Sequence, residues 1–307
     1  MLIKAVLRRL FFTIIILIGV TIIAFALVRL APGDPARLML ESDATEEQVQ
    51  AMRVKMGLDK SLIEQYLMYM QNILHGDLGY SFHFHVNCGE IILKRLAYTA
   101  KITMVGVALA LLISFPLGMI AGIKRGSLLD TGAMGFALLG QAMSPVWLCL
   151  LMILVFSVWL GWLPTQGTGT WQHMVMPSIC VGFTFCSLVT RMLRTDMIDV
   201  LKEDYITATR ARGIEKFKIN IKYALKNAML PVVTVSGHQL GKLLAGSIVV
   251  EQIFGWPGLG QLTVTAITAR DFQLVESILL IVALIMVVCN LMVDILYTFL
   301  DKRIQFN

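Results

Sequence analysis

Six long apolar runs, at about 10–30, 99–123, 133–160, 174–195, 232–251 and 274–299, constrain this chain more than any other feature. A run of about 20 apolar residues spans a bilayer only as helix, because lipid offers no partner to an unpaired backbone N–H or C=O. Charged residues make up 15% of the 307, against roughly 25% in soluble domains. The pattern predicts an all-α membrane protein with six transmembrane helices. Lys4, Arg8 and Arg9 precede the first run, and Ala24-Phe25-Ala26 is like a signal-peptide cleavage site. The uncharged stretch from Leu10 to Val28 is longer than a usual signal core, so a retained helix is expected.

Lys and Arg in the short loops set the orientation. The N-terminus, Lys124-Arg125, the 196–231 segment and Lys302-Arg303 are basic, whereas the 161–173 loop carries no charge and 252–273 has Arg270 alone among Lys and Arg. Both termini are therefore expected in the cytoplasm. Residues 1–30 hold a short tail and the first helix. Residues 31–98 form a small extracytoplasmic cap, helical in "TEEQVQAMRVKMGL" and "SLIEQYLMYMQNIL". Residues 99–299 are a five-helix core, and 300–307 a cytoplasmic tail.

The one large cytoplasmic loop, 196–231, lies between the fourth and fifth spans and contains the most polar long stretch of the chain, 203–231. Leu201, Tyr205, Ala208 and Arg212 recur at helical spacing, as do Phe217, Ile221, Ala224 and Ala228, so two short amphipathic helices are predicted. Gly213 between them suits a left-handed helix terminus, and Pro231 suits the opening of the next span. Nine Lys or Arg among residues 191–226 would also draw such helices onto an anionic leaflet. A surface-lying helix does not, however, require a Gly-hinged pair closed by Leu230-Pro231.

"DYITATRARG" followed by "NAMLP" resembles the coupling loop of permease subunits of bacterial ABC importers, in the dipeptide, oligopeptide and nickel branch. That branch typically reads T-A-R-A-K-G where this chain has Ala208-Thr209-Arg210-Ala211-Arg212-Gly213, with the alanine displaced by one position. Further segments are similar in the same order along the chain: "RLAPGDPA", "HGDLGYS", "FPLGMIAGIKRGSLLD", "GWLPTQG", "VVEQIFGWPGLG" and "NLMVDILYTFLDKRI". The resemblance implies a second homologous permease subunit, two cytoplasmic ATPase subunits and an extracytoplasmic solute-binding protein, all at the bacterial inner membrane. It implies no cofactor in this chain, with ATP and Mg in the partner ATPases, and a coupling face built from Tyr205, Ala208, Arg210, Ala211, Gly213 and Phe217 and ending at Pro231.

No enzyme is expected. In "GHQLGKLL" the Gly237 and Gly241 spacing and the Leu after Lys242 do not fit a phosphate loop. An intramembrane enzyme would need a paired nucleophile and base, or HExxH, within the spans, and neither is present in the sequence. The basic residues flank apolar spans instead of forming an aromatic-interleaved stripe, so nucleic acid is not expected as a partner and membrane lipid is.

Two sites carry ligand chemistry. His238 and Lys242, four apart, share a helical face of the fifth span. An ionisable group at that depth is a functional candidate by default; Lys242 either meets an anionic solute group or pairs with a carboxylate such as Asp294. His83, His85 and Cys88 in "FHFHVNC" offer two imidazoles and a thiol, a set suited to nickel, copper or zinc. The remaining cysteines lie in apolar runs without CxxC spacing and read as small buried hydrophobes. Similarity to dipeptide and oligopeptide permeases favours peptides as solute; "TWQHMVMP" and "VVCNLMVDIL" keep a nickel or metal-chelate permease as the alternative.

Overall fold

The computed structural model describes residues 2–30, 35–38, 45–55 and 57–300. Helices α1 (Leu2–Leu30), α2 (Pro35–Leu38), α3 (Glu46–Lys55) and α4 (Leu62–Leu74) are followed by a hairpin of β1 (Tyr80–Ser81) and β2 (Val86–Asn87). Next come α5 (Cys88–Ile123), α6 (Leu128–Ala142), α7 (Pro145–Met152) with a π-helical continuation Ile153–Trp159, and α8 (Trp171–Val200). The chain continues through α9 (Asp204–Ala211), α10 (Lys216–Lys218) with a π-helical continuation Ile219–Leu225, and α11 (Lys226–Leu244). It closes with α12 (Ile248–Ile253), α13 (Leu259–Thr268) and α14 (Phe272–Leu300). Among the described residues, three helices are long and apolar enough to cross a membrane, Cys88–Ile123, Trp171–Val200 and Phe272–Val293. A fourth span is reached if the bent pair Leu128–Ala142 and Pro145–Trp159 counts as one.

The predicted run 133–160 is thus broken, with a 106° bend. Pro145 has no N–H and pushes the residue before it out of the helical region; Ser144 accordingly sits at ψ 137° and Met143 at ψ 129°. The predicted run 232–251 is broken as well. α11 starts earlier, at Lys226, and stops at Leu244, where Gly246 takes φ +117°. Pro231 consequently lies inside α11 and does not open it. Part of the predicted 252–273 loop is helix α13.

The chain divides into two compact units, Met1–Ala97 with Gly258–Ile285, and Tyr98–Pro257 with Met286–Asn307. In the first, both cap segments read as helical are helices. Ser61 caps α4 reciprocally: its amide donates to Glu64 Oε2 (3.0 Å) and its Oγ accepts from the Glu64 amide (3.4 Å). Arg29 of α1 donates to Gln65 of α4 (3.1 Å) and to Glu276 of α14 (2.8 Å), a charged link that satisfies a nearly buried carboxylate. Cys88, Ile91 and Ile92 of α5 pack with Leu259, Leu262 and Ala266 of α13 and with Leu274 and Ile278 of α14.

In the second unit α8 is the central helix. Its Gly182 meets Gly106 of α5 backbone to backbone, and its Ser187 lies against Gly140 of α6, the close approach that small residues permit between helices in lipid. Arg194 forms a bidentate pair with Asp130 (2.7 and 2.9 Å), tying the end of α8 to the start of α6. α12 is fixed by buried Glu251, which accepts from Thr99 Oγ1 (2.8 Å), and by the Gln166 amide donating to Ile253 O (2.9 Å).

Candidate functional site

The polar loop after α8 folds as a helix, a turn and a second helix. α9 ends at Ala211 with Arg212 as its C-cap, and Gly213 follows at φ +75°, a left-handed conformation that costs a residue with a Cβ about 1–2 kcal/mol. The Gly213 amide donates to Arg210 O (3.0 Å). The hinge predicted for Gly213 is therefore a helix terminus of the expected kind.

The facing of these helices departs from the predicted stripes. Ile206 and Thr209 point inward from α9, whereas Tyr205, Ala208 and Arg212 are exposed. In the second helix Ile219, Ala224 and Ala228 are buried, but Phe217 and Ile221 are exposed. In the second helix the cause lies in the 219–225 segment: its i→i+5 bonding shifts the register by one residue, which a period of 3.6 drawn from Phe217 does not anticipate. The inward residues pack on Val189, Leu193 and Met197 of α8 and on Val232 of α11, so the loop is part of the core.

Tyr205 joins the two helices. Its hydroxyl donates to Tyr223 O (3.3 Å) and accepts from Asn227 Nδ2 (2.6 Å). Sequence reading missed both partners; Asn227 opens the "NAMLP" stretch and carried the available signal. With this frame held from below, Ala208, Arg210, Ala211, Gly213 and Phe217 are all exposed, Phe217 by 68%. Phe217 stands between Lys216 and Lys218, on the outer side of an apolar and well-packed underside.

α11 carries His238 and Lys242, both exposed on the same side. His238 Nδ1 lies 3.0 Å from Thr234 O. Lys242 makes no ion pair among the described residues, and the Asp294 side chain considered as its partner lies outside them.

The three residues of "FHFHVNC" are not brought together. Among the described residues no group of three or more His, Cys, Asp or Glu side chains is placed to hold a metal ion. Cys88 is fully buried in the apolar cluster with Ile91, Ile92 and Leu259. The His83 ring stacks edge-on against Phe84 (4.8 Å), and His85 occupies the hairpin turn at φ +53°. What organises the hairpin is Asp271, buried, which accepts from Ser81 Oγ (2.6 Å) and from the amides of His83 (3.2 Å) and Leu274 (3.2 Å).

Comparison with known proteins decides the family. The pattern of the binding-protein-dependent transport system inner membrane component matches residues 114–306, and that of its N-terminal part matches residues 2–103. The chain belongs to this family of ABC importer permeases. It is 37% identical over 302 residues to the glutathione transport system permease protein GsiC of Escherichia coli O6:H1 (strain CFT073), covering 98% of this chain and 99% of that protein. The same identity and coverage hold for the GsiC protein of Salmonella choleraesuis (strain SC-B67). An inward-facing crystal structure of the MetNI methionine ABC transporter shares the fold over 69% of this chain and 96% of that one, with a TM-score of 0.57 at 16% identity. Family membership makes this permease a multi-pass protein of the inner membrane that works with an ATPase and a solute-binding protein and leaves ATP hydrolysis to separate subunits.

Proposed function

We propose that this permease is a pore subunit of an importer for small peptides of the glutathione type. The observation that carries the solute class is the end-to-end identity to glutathione permeases. In this reading six helices cross the membrane with both termini in the cytoplasm, residues 31–98 form an extracytoplasmic cap, and a second permease completes the pore. Two ATPase subunits, holding ATP and Mg, dock on Tyr205, Ala208, Arg210, Ala211, Gly213 and Phe217. Because the inward face of this loop is continuous with the α8 and α11 core, a push on α9 and α10 moves those helices with it. Pro231, inside α11, removes the N–H that would bond the Asn227 carbonyl and makes the lower part of α11 the point where that helix bends most readily.

The test is uptake of labelled glutathione into vesicles holding the assembled complex, with the permease alone assayed for ATP turnover. ATP-dependent uptake by the complex, with no hydrolysis by the isolated chain, is the expected result. Uptake of a nickel chelate with none of glutathione would overturn the peptide reading. Steady ATP turnover by the isolated chain would overturn the division of labour.

A further inference from the structure

We propose that His238 and Lys242 together recognise the C-terminal end of a peptide solute, Lys242 taking the carboxylate and His238 the adjoining N–H. The inference rests on the transport reading above and gives it a contact point.

α11 has two chemically opposite sides. On one, Gly237 and Gly241 are buried against α14: a Cβ added to Gly241 would stand 3.2 Å from Cys289 Cβ, and one added to Gly237 would overlap Val293. This side is occupied by protein. One residue further round, His238 and Lys242 are exposed, and Pro231 is exposed two turns below them. From Val232 to Leu244, Lys242 is the one Lys, Arg, Asp or Glu of α11, and it lies on this side. A Lys directed at hydrocarbon is among the most costly placements in a membrane protein, so the exposed side fits a water-filled route.

The hydrogen-bonding capacity of the two side chains is also specific. Thr234 O can only accept, so the 3.0 Å contact fixes the proton on His238 Nδ1. With Nδ1 so engaged, Nε2 is the ring atom left to take an N–H, and it has no partner among the described residues. The Lys242 ammonium, three donors on a flexible stem, likewise has no described partner. Glu251, the next acid along the chain, is buried and engaged with Thr99. Lys242 also lies in the last turn of α11, where the helix dipole favours a cation without using its donors. An acceptor and a cation without partners among the described residues, one helical turn apart, about 6 Å of axial rise, match the alternation of N–H and carboxylate at the end of a peptide. An isolated anion such as phosphate would use the lysine and leave the imidazole idle.

The experiment crosses a change in the protein with a change in the solute. Vesicles with the assembled complex are given labelled glutathione or its glycine ethyl ester, in which that carboxylate is capped. Lys242→Met should lower glutathione uptake about tenfold, the worth of one charge-assisted contact, and change ester uptake less than twofold. Lys242→Arg should retain most uptake, and His238→Ala should lower uptake of both solutes about threefold, since both keep the N–H. An equal loss for both solutes in Lys242→Met, an arginine variant no better than methionine, or failure of Lys242→Met to assemble would each overturn the proposal by making the lysine structural. Wild-type complex that imports neither solute would instead remove the peptide reading on which it stands.

Discussion

The α9–α10 loop and the 80–88 hairpin both present residue types that draw attention in a sequence, yet the chain puts them to opposite uses. In the loop, the apolar positions Ile206, Ile219, Ala224 and Ala228 are spent on the core, and the motif residues are left facing out. In the hairpin, Cys88 fills an apolar cluster and the His83 backbone amide serves the buried Asp271 carboxylate, while the His83 and His85 side chains stay exposed but are not gathered with a third ligand among the described residues. The difference teaches that apolar packing and spacing in the fold, and not residue type, decide which side chains a segment offers. Tyr205 shows the intermediate case, an exposed aromatic whose hydroxyl is already committed to Tyr223 and Asn227.

Asp271→Ala tests the absorbed side most severely. It strips an acceptor from Ser81 Oγ and from two backbone amides. Leaving buried donors unpaired costs about 3 kcal/mol here, so the thermal midpoint of the purified complex should drop clearly. An unchanged midpoint would mean that the hairpin is not held by this carboxylate. Gly213→Val comes next. With φ at +75° and open space around the missing Cβ, only backbone conformation is penalised, by about 1–2 kcal/mol. Solute-stimulated ATP hydrolysis should fall while membrane insertion stays intact, and normal coupling would show that the terminus need not be rigid.

Tyr205→Phe should weaken coupling a few-fold, because about 1 kcal/mol of hydrogen bonding between the loop's two helices is lost. Equal coupling would demote the hydroxyl to a bystander. The smallest effect is expected from His83→Ala combined with His85→Ala, both exposed at the hairpin turn. Stability should change by no more than about 0.5 kcal/mol, and a transition-metal chelator that leaves Mg in place should not alter uptake by the wild-type complex. A chelator-sensitive uptake restored by added metal would break the contrast between the two regions.

Composition and apolar run length were enough to locate helix at all six predicted runs, of which three, or four with the bent pair, are long and apolar enough among the described residues to cross a membrane. The breaks were harder to see. Pro145 made the 143–144 bend readable in principle, but "LAGSIVV" around Gly246 reads as continuous apolar sequence. α13 escaped because "LGQLTVTAIT" mixes β-branched and polar residues, and its inward Leu259, Leu262 and Ala266 gain meaning only once Cys88 and Leu274 are beside them. At the loop, Gly213 and the motif were legible, since positive φ leaves a sharp residue preference. The facing of Ile206 was not, and neither was the Tyr205 clamp, whose partners lie 18 and 22 residues away.

The π-helical stretch Ile219–Leu225 has a consequence for how this chain can change in length. An inserted or deleted residue in an ordinary helix turns everything beyond it by about 100°. Between Gly213 and Leu244 such a turn would swing Gly237 and Gly241 away from Val293 and Cys289 and set side chains with a Cβ in their place. A segment bonded i→i+5 can shed one residue and become i→i+4, leaving the downstream helix facing as before. Among the described residues of this hairpin of helices, 219–225 is therefore the stretch where a one-residue deletion is absorbed, and sequences one residue shorter here are expected to keep the same pore wall.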